Sequence, residues 1–119
     1  MAEAFNPEVA SVIPVLNEAD SIIDCLDSLC NQTYPAELHH IYVFDGGSTD
    51  NTVQVIEQYI SMRQEQKPTL HLHNNPGKYV AEARNLALEL IPDTVEYFVE
   101  IIGHCTVEIE HIEKLVSTM

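Results

Sequence analysis

The chain has 119 residues, 45% of them hydrophobic, which suits one domain with a real core and is short for an enzyme that holds two substrates. Nineteen acids against five bases give a formal charge of −14, and that field opposes binding to nucleic acid or to anionic lipid surfaces. No run reaches the ~18 continuous apolar residues of a membrane span.

Four strand-like runs alternate with four helical patterns. Val9 to Val15 is the first apolar run, with Pro14 near its end, where a missing amide donor is tolerable only if pairing is fading or bulged. A helix follows with Ile22, Ile23, Leu26, Leu29 and Cys30 on one face at the 3.6-residue period, stopped between Asn31 and Pro35. His39 to Phe44 forms the second strand, and the helix after it carries Val53, Ile56, Tyr59 and Ile60. Thr69 to His73 alternates as a half-buried strand should. Asn74-Asn75-Pro76-Gly77 makes a turn into a third helix, from about Tyr79 to Leu90, with Val80, Ala83, Ala87 and Leu90 inward. Glu96 to Ile102 is mostly apolar and reads as a central strand. A last helix begins near Glu108, with Ile109, Ile112, Leu115 and Val116 inward. This alternation predicts an α/β, Rossmann-like parallel sheet with helices on both faces.

Open α/β sheets bind ligands at the carboxyl ends of their strands. Asp45 stands at such an end and is followed by Gly46-Gly47-Ser48-Thr49-Asp50-Asn51-Thr52, where the two glycines allow a ligand or backbone to approach closely. The competing structural reading is that Asp45 begins a tight turn and that Ser48 or Thr49 caps the next helix. Any phosphate ligand on so acidic a chain needs a divalent cation or locally placed cations and amides. Three of the five bases, Lys67, Lys78 and Arg84, fall between positions 67 and 84. The start, Met1 to Pro7, lacks the segments of a signal peptide, and Cys25, Cys30 and Cys105 read as free thiols. Both features predict a cytoplasmic, reducing location.

Four segments in register resemble the inverting family 2 glycosyltransferases of the GT-A fold. They are Val12-Ile13-Pro14-Val15-Leu16-Asn17-Glu18, then Val43 to Thr52 with its Asp-Gly-Gly-Ser-Thr-Asp turn. Asn75-Pro76-Gly77 with Ala83-Arg84-Asn85 and Ala87 follows, and last comes the strand Glu96 to Ile102 with its Gly103-His104 exit. The subgroup most resembled builds bacterial exopolysaccharides such as succinoglycan. The resemblance implies a nucleotide-sugar donor, of UDP type, and a saccharide or lipid-linked acceptor. It implies that Pro14, Val15 and Glu18 border the nucleoside, that Asp45 with Gly46 reads the uracil imide, and that Arg84 and Lys78 reach phosphates or ribose. Each has a plainer alternative: Glu18 as a first-turn acid, Arg84 in a surface ion pair with Glu82 or Glu89, and Lys78 in solvent.

Two departures qualify the resemblance. Family members end the fourth strand with Asp-x-Asp or Asp-x-His, which holds Mg²⁺ or Mn²⁺ on the sugar diphosphate. Here Ile102 takes the first position and only His104 is left as a metal ligand, with Glu100 as the nearest other acid. The acceptor site and the general-base carboxylate come later in the family than Met119. Residues 1–119 therefore read as the nucleotide-sugar-binding part of a GT-A domain, inactive alone, self-associating and operating at the inner face of the membrane. A non-catalytic nucleotide-sugar-binding domain or pseudoenzyme is the alternative. A receiver domain is disfavoured by the Gly46-Gly47-Ser48-Thr49-Asp50 loop, and a dinucleotide oxidoreductase by the lack of G-x-G-x-x-G after the first strand.

Overall fold

A computed structural model describes residues 7–64, 66–77 and 80–117. Its elements, in order, are β1 (Glu8–Val15), α1 (Ile22–Cys30), a 3₁₀ turn (Ala36–Leu38), β2 (His39–Asp45), α2 (Thr52–Arg63), β3 (Thr69–Asn74), α3 (Val80–Leu90), β4 (Val95–Glu100) and α4 (His111–Ser117). The strands form one parallel sheet in the order β3-β2-β1-β4. The chain therefore grows outward on one side of β1, then crosses back to the other. That reversal makes a topological switch between β1 and β4, and ligands of open α/β sheets bind outside the strand ends at such a point.

Strand alternation divides the core. Val9, Ile13 and Val15 of β1 join Ile41 and Val43 of β2 and Val99 of β4 on one face, under Leu26 of α1, Ile56 of α2 and Ile112 of α4. Ala10, Val12, Tyr42 and Phe44 point to the other face and pack against Ala83 and Ala87 of α3. The small side chains of α3 let its backbone lie close to β1. On this second face Tyr42 stacks on His71 with ring centroids 4.6 Å apart, and Phe44 on His73 at 5.6 Å.

Pro14 sits where the strand predicted it. The carbonyl of Val12 accepts from Ile101 N–H at 2.9 Å, whereas that of Val15 accepts from Gly46 N–H. The backbone polar groups of even-numbered residues in this stretch thus face β4. The β1–β4 register ends at Val12↔Glu100, so the missing donor of Pro14 falls where β4 has already parted from β1.

Four expectations are corrected. β4 lies at the edge of the sheet, not in its centre, and Phe98 is correspondingly exposed. Cys25 is fully buried on α1, whereas Ile23 and Cys30 are only partly so, because the buried stripe runs Ile22-Cys25-Leu26-Leu29. Leu90 is exposed and Ile91 buried instead, since α3 ends at Leu90 and the chain turns inward one residue later. Ile109 is exposed, as α4 begins only at His111.

Candidate functional site

The carboxyl ends of β1 and β2 are tied together by their loops. Asp45, the last residue of β2, is buried at 6% exposure. Its Oδ2 accepts from the N–H groups of Gly47 (3.1 Å) and Ser48 (3.2 Å), and its Oδ1 accepts from the Ser48 hydroxyl at 2.5 Å. Three donors offset the burial of a carboxylate that would otherwise be strongly penalised. Gly47, at φ 99°, supplies the left-handed turn this wrapping needs. Asp45 thus organises its own loop, as the turn reading anticipated. Each carboxylate oxygen has more than one lone pair, so accepting within the loop leaves capacity toward a ligand. A cavity of about 250 Å³ opens beside Asp45, bounded by Val53, Glu57, Leu72 and His73.

Asn17 clamps the two loops. It adopts the left-handed conformation at φ 55°, a region that asparagine tolerates better than most residues. Its N–H donates to the Ser48 hydroxyl oxygen at 2.9 Å, and its side-chain Oδ1 accepts from the N–H groups of Thr49 (2.8 Å) and Asp50 (3.2 Å). Next to it, Glu18 N–H donates to the Thr52 hydroxyl oxygen at 2.9 Å, and that hydroxyl donates to Asp50. The Thr52 hydroxyl is the first cause that holds the Asp50 carboxyl below its ordinary range. The helix start is therefore organised by Asp50, whereas Ser48 serves Asp45 and Thr49 serves Asn17.

At the β1–β4 switch, His104 Nδ1 stands 3.5 Å from Glu18 Oε2. Gly103 is packed so tightly that a Cβ there would meet Val15 Cγ1 at 2.9 Å. The Ser21 hydroxyl donates to both the Glu18 and Gly103 carbonyls at 3.4 Å, joining the start of α1 to the exit of β4. Pro14, Val15, Glu18, Asp45, Gly46 and His104 are therefore gathered at the carboxyl ends of three adjacent strands, around the end of β1. Gly46 is buried and donates its N–H to the Val15 carbonyl at 2.9 Å, extending the ladder past Asp45.

Arg84 is placed apart. Its Nε and Nη2 grip Glu100 at 2.5 and 3.0 Å, a two-pronged pair on the α3 side of β4 that replaces the anticipated partners Glu82 and Glu89. The guanidinium holds the Glu100 carboxyl below its usual range. Lys78 lies outside the described residues.

The donor set does not fit a metal held by protein side chains. Ile102 is exposed where the resemblance called for an acid, and Glu100 is engaged by Arg84. Among the described residues no three His, Cys, Asp or Glu side chains converge to hold an ion. Glu18 and His104 alone fall short of the six or more oxygen ligands of Ca²⁺ or the octahedral demand of Mg²⁺.

Asn17, Ser21 and Thr52 had no assigned role before the structure, and Ser48 was expected only as a helix cap, whereas it bonds Asp45 and Asn17. Their signal was in the chain: polar residues directly after two apolar runs, each run ending at one side of the same crevice.

This geometry has close relatives. The sequence profile described as Glycosyl transferase family 2 matches residues 11–119. Glycosyltransferase AglE of Haloferax volcanii is 33% identical over 113 residues, which are 95% of this chain and 36% of that protein. Hyaluronan synthase of Streptococcus pyogenes is 38% identical over 81 residues, 64% of this chain and 19% of the synthase. The chain thus spans about a third or less of the length of these relatives. S. aureus TarS 1-349 in complex with UDP superposes with a TM-score of 0.73 at 24% identity, covering 92% of this chain and 31% of TarS 1-349, a likeness of fold. Mannosyltransferase PcManGT of Pyrobaculum calidifontis, in complex with GDP-Man and Mn²⁺, gives 0.66 at 28% identity over 74% of this chain and 25% of its own. With the profile spanning residues 11–119 and AglE 33% identical over 95% of the chain, the protein belongs to glycosyltransferase family 2.

Proposed function

We propose that residues 1–119 form the donor half of a glycosyltransferase that moves a sugar from a UDP-sugar to a saccharide or lipid-linked acceptor in polysaccharide synthesis. The observation that carries this is Asp45, a buried carboxylate fixed by three loop donors at the end of β2, beside the exit of β1. A carboxylate held there can accept the imide N–H of uracil, an interaction that cytosine, with no hydrogen on that nitrogen, cannot offer. Guanine also presents such an N–H, and the PcManGT complex contains GDP-Man, so GDP is the informative competitor. Pro14 and Val15 border the base, and Glu18 accepts from ribose or base. In the same reading Arg84, and Lys78 with it, serve the phosphates once Glu100 releases the guanidinium. A Mg²⁺ or Mn²⁺ ion belongs to this reading as the counter-ion of the donor's diphosphate, with Glu18 and His104 beside it. The acceptor, the general base and the exopolysaccharide subgroup belong to the proposal too. So do turnover only by a longer protein, self-association through the exposed β4 edge and action at the cytoplasmic face of a membrane.

The test is calorimetric titration of UDP, CDP and GDP, with and without Mn²⁺, into wild type and Asp45→Asn. Asparagine keeps one acceptor oxygen for the loop while losing the charge. UDP should bind more tightly than CDP, and Asp45→Asn should lose about 1–3 kcal/mol, the value of a hydrogen bond to a charged group. Equal UDP affinity in the two proteins would reject the role of Asp45, and a preference for GDP would reassign the donor.

One observation favours the second reading, a non-catalytic nucleotide-sugar-binding domain: Ile102 is exposed at 58% in the position of the metal-holding acid. Nucleotide binding with no release of sugar from any UDP-sugar, in the longest form of the protein, would support it.

A further inference from the structure

The opposite pole of the sheet holds a feature that the donor site does not use. At the start of β3, beneath the end of α2, a cavity of about 350 Å³ is lined by Arg63, Gln64, Lys67 and His71 against an apolar wall of Ile60 and Leu70. In a chain with 19 acids and five bases, cations are expected to be paired. Arg84 is paired with Glu100, and Lys114 with Glu108 and Glu110. Arg63 and Lys67 have no acidic partner among the described residues, and both line this one cavity.

Arg63 is also incompletely satisfied. Its Nη2 donates to the Pro68 carbonyl at 3.3 Å, while its Nε is buried and has no acceptor. A buried donor left unmade is costly. Arg63 closes the last turn of α2, where the helix dipole favours a cation. That accounts for its charge but not for the orphan Nε, nor for Lys67, which lies beyond the helix. The same dipole disfavours an anion at the helix end, so any anion here must be held by side chains. One of the terminal carbonyls, that of Ile60, is already closed by Gln64 N–H at 3.2 Å.

We propose that this cavity binds a phosphate group, gripped by the Arg63 guanidinium and the Lys67 ammonium. It is a second anion site, remote from the nucleotide crevice and independent of it. A dianion matches two cations that have no acidic partner among the described residues, and guanidinium recognises phosphate oxygens through parallel N–H donors. The phosphate group could belong to a soluble phosphate or sugar phosphate, or to a phospholipid headgroup. The charge of −14 repels an anionic surface far more than a single small anion, which assigns the soluble source.

Titration of ¹⁵N-labelled protein with inorganic phosphate, at ionic strength held constant with chloride, tests the site. Saturable shifts of the amides of Gln66, Lys67 and Thr69 to His71 are expected, with UDP shifting Gly46 to Thr49 instead. Lys67→Gln, an exposed change that leaves the fold intact, should weaken the phosphate response about tenfold, which corresponds to ~1.4 kcal/mol. Arg63→Gln should do the same, and both should leave the UDP response unchanged. Phosphate shifts confined to Gly46 to Thr49, or equal phosphate affinity in wild type and Lys67→Gln, would overturn the proposal. Binding to phosphatidylglycerol vesicles but not to free phosphate would overturn the soluble assignment.

Discussion

Replacing Asn17 separates the two things this residue does, holding a left-handed backbone and accepting hydrogen bonds across the loops. Its Oδ1 takes Thr49 N–H at 2.8 Å and Asp50 N–H at 3.2 Å; the third contact, from the Thr49 hydroxyl, is long at 3.4 Å. Both amides are near solvent, so each bond is worth its net value of about 0.5–1.5 kcal/mol. Asn17→Gly keeps the φ of 55° accessible and should lose about 1–3 kcal/mol from the two bonds. Asn17→Ala loses the same bonds and also adopts a conformation costing ~1–2 kcal/mol for a residue with a Cβ. It should be the less stable of the two by about 1 kcal/mol, after allowing for the extra chain entropy glycine brings to the unfolded state. Asn17→Asp retains the acceptor and should stay within about 1 kcal/mol of wild type. Urea unfolding of the four proteins measures these differences, with a common m-value as the check that only stability has changed. UDP titration of the same set reads the consequence for the crevice. The loop of Asp45 loses its anchor in Asn17→Gly, and affinity should fall roughly tenfold through lost preorganisation, with recovery in Asn17→Asp. Two results would refute the reasoning: Asn17→Ala as stable as Asn17→Gly, or Asn17→Gly as stable as wild type.

His39 is buried at 1% exposure with Nε2 2.7 Å from the Ser11 hydroxyl, and desolvation, then the charge of His40, pushes its pKa down to about 4. The unfolded chain takes up the proton near ~6.5 while the folded chain does not, so stability should fall as pH drops from about 6.5 toward 4, by up to about 3 kcal/mol. His39→Gln keeps a partner for Ser11 without titrating, and its unfolding free energy should lose that part of the slope; an unchanged slope would remove His39 as the cause. Ile102→Asp changes a side chain that is 58% exposed, so it should fold normally and make UDP affinity rise with Mn²⁺. Calorimetry showing no new metal dependence would mean that residue 102 does not face the diphosphate.

Much of the fold was legible in order and type, because a parallel sheet buried on both faces needs long apolar runs that alternate with helix-period patterns. Asp45 and Gly46 at a strand end could be marked because the carboxyl ends of parallel strands face one way, whereas Glu18 and His104 were marked by the family resemblance. What the sequence could not determine was adjacency. Apolar content made β4 look central, yet strand order depends on which crossover reverses direction, and β4 lies at the edge beside β1. Arg84 had Glu82 two residues before it and Glu89 five after it, but the sheet delivered Glu100 to it from another element. Asn17 read as one polar residue in a motif until the sheet brought the β1 and β2 exits together. Its hydrogen bonds to Thr49 and Asp50 then span more than thirty residues of chain. Local pattern reports which face of an element is buried. Which elements then meet is decided by long-range packing, and the site is made of those meetings.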